Sequence, residues 1–279
     1  MWCDLFGGLR RGTVWPSPFL LLSLIEGASL LKLAVVDIDG CLTPGEGLPW
    51  DLVALGRVRA YNEGSRPLLP VTVCTGRPAP YLEAFMQAIG ATVPGVFEHG
   101  CGLYDPVAYR AYAHPAFTQA HARAREEALR LVRRHLVEPG LASLLLGKEF
   151  IVTLYRGDVV PLQSLWEECT SVLSGIDEFC VIQSSSCVDI LPRGVDKGAG
   201  VAWLSERIGV SMQDMGGVGD SNCDWAFLQV TGANAAPANA QTKLKRLVQY
   251  VSSEEHVYGT LDILERWSGV ADAPAAGEV

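Results

Sequence analysis

Two carboxylates two positions apart, Asp37 and Asp39, close a mostly apolar run that begins at Leu31, and Gly40 follows at once. In parallel α/β sheets, ligands bind at the carboxyl ends of strands. Acids forced together at such a point repel unless a cation holds them, so the spacing points to a hard metal such as Mg²⁺. A carboxylate there can also attack phosphorus as a covalent nucleophile. Asp-x-Asp alone is common in solvated loops, and its weight comes from three segments downstream. Val71-Thr72-Val73-Cys74 reads as a short β-branched strand that runs into Thr75-Gly76-Arg77. The Thr75 hydroxyl and the backbone N–H groups from Gly76 onward can hold phosphate oxygens, and a helix starting near Pro78 adds its dipole. Lys197 stands at another helix start, suited to neutralising phosphate charge. Gly216-Gly217-Val218-Gly219 leads to Asp220 and Asp224, which are placed to share one face of a first helical turn and complete a metal site. Each has a plain reading as well: Thr75 as a cap, Lys197 as a solvated helix residue, Asp220 as an N-cap. Four such segments in this order form a joint signal for phosphoryl transfer, a chemistry that depends on positioning and charge stabilisation.

Together these segments resemble the signature motifs of the haloacid dehalogenase-like superfamily, specifically its phosphatases, from about Leu31 to Trp267. The resemblance implies that Asp37 is the nucleophile that becomes an aspartyl phosphate. It implies that Asp39 is the general acid/base, protonating the leaving oxygen and then activating water. Thr75, Gly76 and Lys197 would hold the transferring phosphoryl group. Asp220 would ligate Mg²⁺ with Asp37 and the backbone carbonyl of Asp39, while Asp224 supports the metal shell. Cys41 departs from the pattern, standing where Thr or Val is usual. Cys223 takes the place of an Asn that helps orient the phosphate loop, with Asn222 before it. Glu98-His99-Gly100 is similar to a family Glu-Asn-Gly turn, and His99 for Asn is read as neutral, with a contact to substrate as the alternative. No other histidine stands beside these motifs.

The intervals between motifs locate a second unit. Asp37 to Thr75 spans 38 residues, room for a flap (Thr43 to Trp50), one helix (about Asp51 to Asn62) and a strand. Thr75 to Lys197 spans 122 residues, far beyond a βαβ crossover. After a helix near Tyr81–Ile89 and a strand at Val96-Phe97, the excess is too long for a structureless loop. Within it, Phe117–Leu136 and Leu162–Leu173 have helical character, and Phe150–Tyr155 and Phe179–Gln183 read as strands. The expected fold class is α/β, with a discontinuous core at 31–104 and 186–270 and an inserted α+β domain at 105–185. Residues 1–30 are read as an N-terminal extension and 271–279 as a flexible tail. By resemblance, the core is a Rossmann-like three-layer α/β/α unit and the insert is a class-two cap of the kind found in sugar-phosphate phosphatases. Gly147-Lys148-Glu149-Phe150 is similar to a cap strand whose lysine faces the active site. Lys148 and Arg156 are therefore substrate-contact candidates, set against the reading of two solvated charges flanking a strand.

Composition limits the partners. The formal net charge of −9 and the lack of a basic stripe argue against nucleic acid or an anionic membrane surface. The basic residues from Arg123 to Arg134 are interleaved with Glu126 and Glu127, as on a solvated helix face. The apolar run Phe19–Ile25 is short, Glu26 and Lys32 interrupt any extension of it, and a transmembrane helix is not expected. Eight cysteines include no C-x-x-C pair, which suits a reducing cytoplasm. Arg77 lies too close to Cys74 for a cysteine-phosphatase loop.

The expectation is a Mg²⁺-dependent hydrolase of a small phosphate monoester, of the sugar phosphate, mannosyl-3-phosphoglycerate or phosphoglycolate type. Its partner is a small phosphorylated metabolite, and the oligomeric state is left open. A phosphomutase would use Asp37 and Asp39 equally, and a non-catalytic ligand-binding relative is the alternative from another class. A dehalogenase has no use for Asp39 or a metal.

Overall fold

The computed structural model describes residues 31–63, 69–184 and 186–269; the extension at 1–30 and the tail at 271–279 lie outside these. The first half of the chain runs β1 (Leu33–Val36), α1 (Leu52–Asn62), β2 (Val71–Val73), α2 (Ala79–Ala88), β3 (Gly95–Phe97), β4 (Gly102–Asp105) and β5 (Arg110–Ala113). It continues with α3 (Gln119–Val132), β6 (Ala142–Leu144), β7 (Val152–Arg156), α4 (Leu162–Val172), β8 (Phe179–Gln183) and β9 (Cys187–Pro192). The last part runs α5 (Lys197–Ile208), β10 (Met215–Val218), α6 (Trp225–Leu228), β11 (Ala233–Ala236), α7 (Thr242–Lys245), β12 (Tyr250–Val251) and α8 (His256–Ser268).

β1 is buried on both faces, which its unbroken Leu-Ala-Val-Val sequence permits. It is the fourth strand of a five-stranded parallel sheet ordered β12-β11-β10-β1-β2. Ala34 and Val36 face a cluster with Leu55 and Val58 of α1, Phe85 of α2 and Leu261 of α8. Leu33 and Val35 face the opposite cluster, with Val201 of α5, Phe227 of α6 and Leu244 of α7. Helices thus cover both faces, giving the expected three layers. An isolated bridge between Cys74 and Val96 joins this sheet to the antiparallel β3-β4-β5 sheet.

The long interval holds a separate antiparallel sheet, β6-β7-β9-β8. Side chains alternate across its two middle strands, as the pleat requires. Val152, Leu154, Val188 and Ile190 pack on Ala128 and Val132 of α3 and on Leu165 and Cys169 of α4. The opposite face carries Thr153, Cys187 and Asp189 and turns toward the carboxyl ends of β1, β2 and β10. A division at residue 185 would separate hydrogen-bonded partners, because β9 pairs with both β7 and β8. β9 therefore belongs to the inserted sheet, and the chain returns to the parallel sheet only at α5. Residues 147–150, expected to continue a strand, instead form a turn and bend before β7. Among the described residues, no helix is long and apolar enough to cross a membrane.

Candidate active site

The turn after β1 is built by its own backbone. The Ile38 carbonyl accepts from the N–H groups of Cys41, Leu42 and Thr43, and Gly40 N–H donates to the Thr43 carbonyl. Gly40 has φ +89°, and a Cβ there would lie 2.3 Å from an Asp220 carboxylate oxygen. Backbone conformation and space both exclude a side chain at this position. Gly40→Ala is expected to destabilise the fold by about 2–3 kcal/mol, from the strained backbone alone, and to displace Asp220. Thermal melts and turnover measured on the same preparation check this.

Asp37 stands at the floor of a cavity of about 330 Å³ between the parallel sheet and the inserted sheet. Lys197, from the start of α5, places its Nζ 3.0 Å from Asp37 Oδ1 and 2.5 Å from Asp224 Oδ1. α5 starts there because the Asp196 carboxylate caps it, accepting from Ala199 N–H at 2.8 Å. Asp224 Oδ2 accepts from the N–H groups of Asp220 and Ser221 and from Ser221 Oγ at 2.8–3.1 Å. Both Asp224 oxygens are thus committed to Lys197 and to the loop carrying Asp220. Burial pushes the Asp37 carboxyl well up, Lys197 pulls it back, and the charges of Asp224, Asp220 and Asp39 raise it again. Burial and the Asp224 charge push Asp220 up to about 7, against the pull of Lys197. Lys197 is shifted upward: its burial is outweighed by Asp224 and Asp37. Oxygens of Asp37, Asp220 and Asp224 lie within 4.8 Å of one another, a cluster of hard donors. Crowded carboxylates that favour a proton are the environment a divalent cation relieves.

Thr75 and Gly76 line the same cavity. Thr75 Oγ1 accepts from Arg77 N–H at 3.1 Å, so the hydroxyl folds the turn while keeping its own proton to donate. Asp39 is met by a guanidinium fork: Arg77 Nε and Nη2 donate to its two oxygens at 2.7 and 2.9 Å. Arg77 also lies 3.5 Å from Glu46 of the flap, which accepts from Tyr155 Oη of β7 at 2.8 Å. This chain of contacts was not foreseen from the motifs, although an arginine directly after Thr-Gly was a visible signal.

The Glu98-His99-Gly100 turn has three successive positive φ angles, two of them on non-glycine residues. Backbone strain of this kind persists where surrounding contacts impose it. The buried Glu98 carboxylate accepts from the N–H groups of Glu149, Phe150 and Ile151 at 2.8–3.1 Å, fixing the segment that enters β7. His99 is part of the cavity wall, with Nε2 3.3 Å from Asp189 Oδ2. A Cβ on Gly76 would lie 2.5 Å from His99 Nε2, so that glycine is what admits the ring. His99 thus lines the cavity, the position that a contact with substrate would require. His256, at the start of α8, is a second histidine of the wall, with Nδ1 3.4 Å from the Gly40 carbonyl. Its distance along the chain hid it from motif reading.

Lys148 lines the cavity and donates to the Gly76 carbonyl. Arg156 does not reach it. By strand alternation Arg156 shares the face of Val152 and Leu154, and it is exposed at the far end of β7. Its candidacy is corrected accordingly. Cys223 lines the cavity while Asn222 is exposed beside it, so Asn222 does not take over the position before Asp224. Burial raises the Cys223 thiol to about 11. Cys74 is fully buried in the cluster behind the sheet, where desolvation raises its thiol far above neutrality, against a nucleophilic role.

A profile of the haloacid dehalogenase-like hydrolases matches residues 145–264. The phosphoglycolate phosphatase of Methanopyrus kandleri is 27% identical over 252 residues, covering 88% of this chain and 100% of the relative. That of Methanococcoides burtonii is 28% identical, covering 85% of this chain and 96% of the relative. In fold, a Thermoplasma acidophilum protein superposes with a TM-score of 0.67 at 20% identity, covering 85% of this chain and 98% of its own. The sucrose-phosphatase of Synechocystis, solved with sucrose and phosphate, gives 0.60 at 18% identity over 85% and 98% of the two chains. In sequence and in its three-layer architecture, the chain is thus similar to the haloacid dehalogenase-like hydrolases.

Proposed function

We propose that the chain is a phosphoric monoester hydrolase that passes the phosphoryl group of a small metabolite to Asp37 and then to water. The observation that carries this reading is the buried Asp37–Lys197–Asp224 chain on the cavity floor, beside Thr75 and Asp220. Relatives aligned over nearly their whole length are phosphoglycolate phosphatases, which supports the reaction class.

In this reading Asp37 is the nucleophile, and Lys197 holds a phosphoryl oxygen by a charge-assisted hydrogen bond while keeping Asp37 in line. The Thr75 hydroxyl and the Gly76 backbone take further phosphoryl oxygens. Asp39 gives a proton to the leaving oxygen and later takes one from water. It does so from within the Arg77 fork, so that pair must open or turn for the transfer. Asp224 acts through Lys197 and the Asp220 loop. Asp37, Asp220 and the backbone carbonyl of Asp39 would hold Mg²⁺, with Asp224 fixing their loop. Mg²⁺ bound there supplies positive charge that offsets repulsion between the carboxylate nucleophile and an anionic substrate. The segment from about 119 to 192 acts as a lid, since its polar sheet face closes the cavity away from bulk water. A reducing compartment such as the cytoplasm suits the free cysteines found throughout the described residues.

The test is phosphate release from a panel of phosphorylated metabolites, with Mg²⁺ and with EDTA. Metal-dependent release is expected, and no release from any compound by folded protein overturns the reading. A thermal melt gives an independent check on the metal. Because folding raises the Asp220 pKa to about 7, its stabilising proton is fully held below the unfolded value and lost as pH rises through about 7. A cation replaces that proton. Mg²⁺ is therefore expected to raise the Tm by about 5 °C at pH 8 when about 100-fold above its Kd, and by much less at pH 5.5.

A further inference from the structure

Resting on the phosphatase reading, we infer that His256 is a substrate-contacting residue on the parallel-sheet side of the cavity, whose Nε2 accepts a hydrogen bond from a hydroxyl on the alcohol part of the ester. The residue is a backbone outlier. It opens α8 with φ +52°, in the left-handed region that a side chain makes costly and that glycine adopts freely. Asn239, in the loop after β11, holds that conformation. Its Oδ1 accepts from His256 N–H at 2.7 Å, and its Nδ2 donates to the Gly40 carbonyl at 2.9 Å. Thr260, one turn further along α8, donates to the adjacent Cys41 carbonyl at 2.8 Å. The clamp between α8 and the turn after β1 is thus made by Asn239, Thr260 and a backbone N–H. None of it needs an imidazole, and glycine at 256 would keep each of these bonds without the strained backbone.

What the imidazole adds is an uncommitted polar atom in the cavity wall. Nδ1 lies 3.4 Å from the Gly40 carbonyl, which can only accept, so the neutral ring carries its proton on Nδ1 and a lone pair on Nε2. His256 lines the cavity, and its Nε2 is accessible with no hydrogen-bond partner among the described residues. The neighbouring polar groups of this wall are already committed. Asn239 is bonded at both ends of its amide, and Ser221 Oγ donates to Asp224. Gly40 stands between the ring and Asp220, whose carboxylate lies where a Gly40 Cβ would be. The free lone pair is therefore set to one side of the acids, where the alcohol part of an ester can extend. Its match is an O–H donor, which a polyol or sugar phosphate supplies and a plain alkyl phosphate lacks.

The experiment measures kcat/KM for a hexose 6-phosphate, glycerol 3-phosphate and propyl phosphate, which has no hydroxyl, using the full chain with Mg²⁺. Wild type, His256→Gly and Asn239→Ala are compared, each checked for a cooperative melt. His256→Gly, which retains the clamp, is expected to lower kcat/KM for at least one hydroxylated substrate by roughly three- to tenfold relative to propyl phosphate, the scale of one hydrogen bond. The change should fall on KM. Asn239→Ala loosens the clamp and should instead lower all three substrates in proportion, the signature of a structural role. If His256→Gly does not fold, His256→Asn, a side chain that tolerates left-handed φ, reads the same ratio. Proportional loss on all substrates in the His256 variant, or loss on none, overturns the inference. If wild type hydrolyses nothing, the phosphatase reading fails, and thermal-shift protection by the same compounds decides the contact separately. Stronger protection by a hydroxylated phosphate that disappears in the His256 variant supports it; equal, absent or unchanged protection overturns it.

Discussion

Asp37→Asn is expected to lower kcat by about four orders of magnitude or more, the scale of removing a catalytic nucleophile. The amide keeps the shape of the side chain, so Thr75, Lys197 and Asp220 stay where they are while the attacking oxygen is lost. Stability should move independently of activity. Burial and three neighbouring carboxylates disfavour a charge on Asp37, while Lys197 favours it and retains Asp224 as partner when Asp37 is neutralised. In metal-free protein the Asn variant is therefore expected to melt at or above the wild-type temperature. Turnover measured beside thermal melts checks both halves, and wild-type-like turnover would end the proposed mechanism.

Lys197→Ala is expected to lose about 10²–10³-fold in kcat, the size of removing one preorganised charge from a phosphoryl-transfer site. Here stability falls with activity. The lysine is almost wholly buried between Asp37 and Asp224, so its removal strands carboxylates that no other cation reaches at hydrogen-bond distance among the described residues. Breaking a buried pair by deleting one partner costs about 3–5 kcal/mol. Asp224 would also lose the contact that fixes one oxygen, loosening the loop that presents Asp220. The two variants thus differ in the sign of their stability effect while both impair turnover, a contrast that a generic folding defect does not produce. Denaturant titration with and without Mg²⁺ separates them, and equal stability of Lys197→Ala and wild type would contradict the buried-pair argument.

The acids and the lysine were legible because each follows a local rule. Asp37 comes directly after, and Asp220 two residues after, a strand whose apolar, β-branched or glycine-rich composition marks it as buried, and Lys197 comes directly after a capping aspartate. Their order and spacing identified the parallel core, and the 122-residue interval between Thr75 and Lys197 identified an insertion. Arg156 shows where that legibility stops. In a strand, a one-residue error in phase reverses the face of every side chain. Tyr155 points to the flap and its neighbour Arg156 does not. β9 shows a second boundary. Cys187-Val188-Asp189-Ile190 has visible two-residue alternation, yet only pairing with β7 and β8 assigns it to the lid.

By itself, then, the sequence determined the α/β class, the presence of an insert and the acids and lysine set at strand ends and a helix start, because these depend on short-range periodicity, capping and chain length; the three layers were implied only by the family resemblance. The tertiary structure alone decided that Arg77 grips Asp39, that Asp224 serves Lys197 and the Asp220 loop, that His99 and His256 reach the cavity, and that Asp189 and Thr153 form its roof. Those contacts join residues far apart in the chain. Their partners and charge states follow from burial and from which strand faces meet, and neither is written in any local stretch of residues.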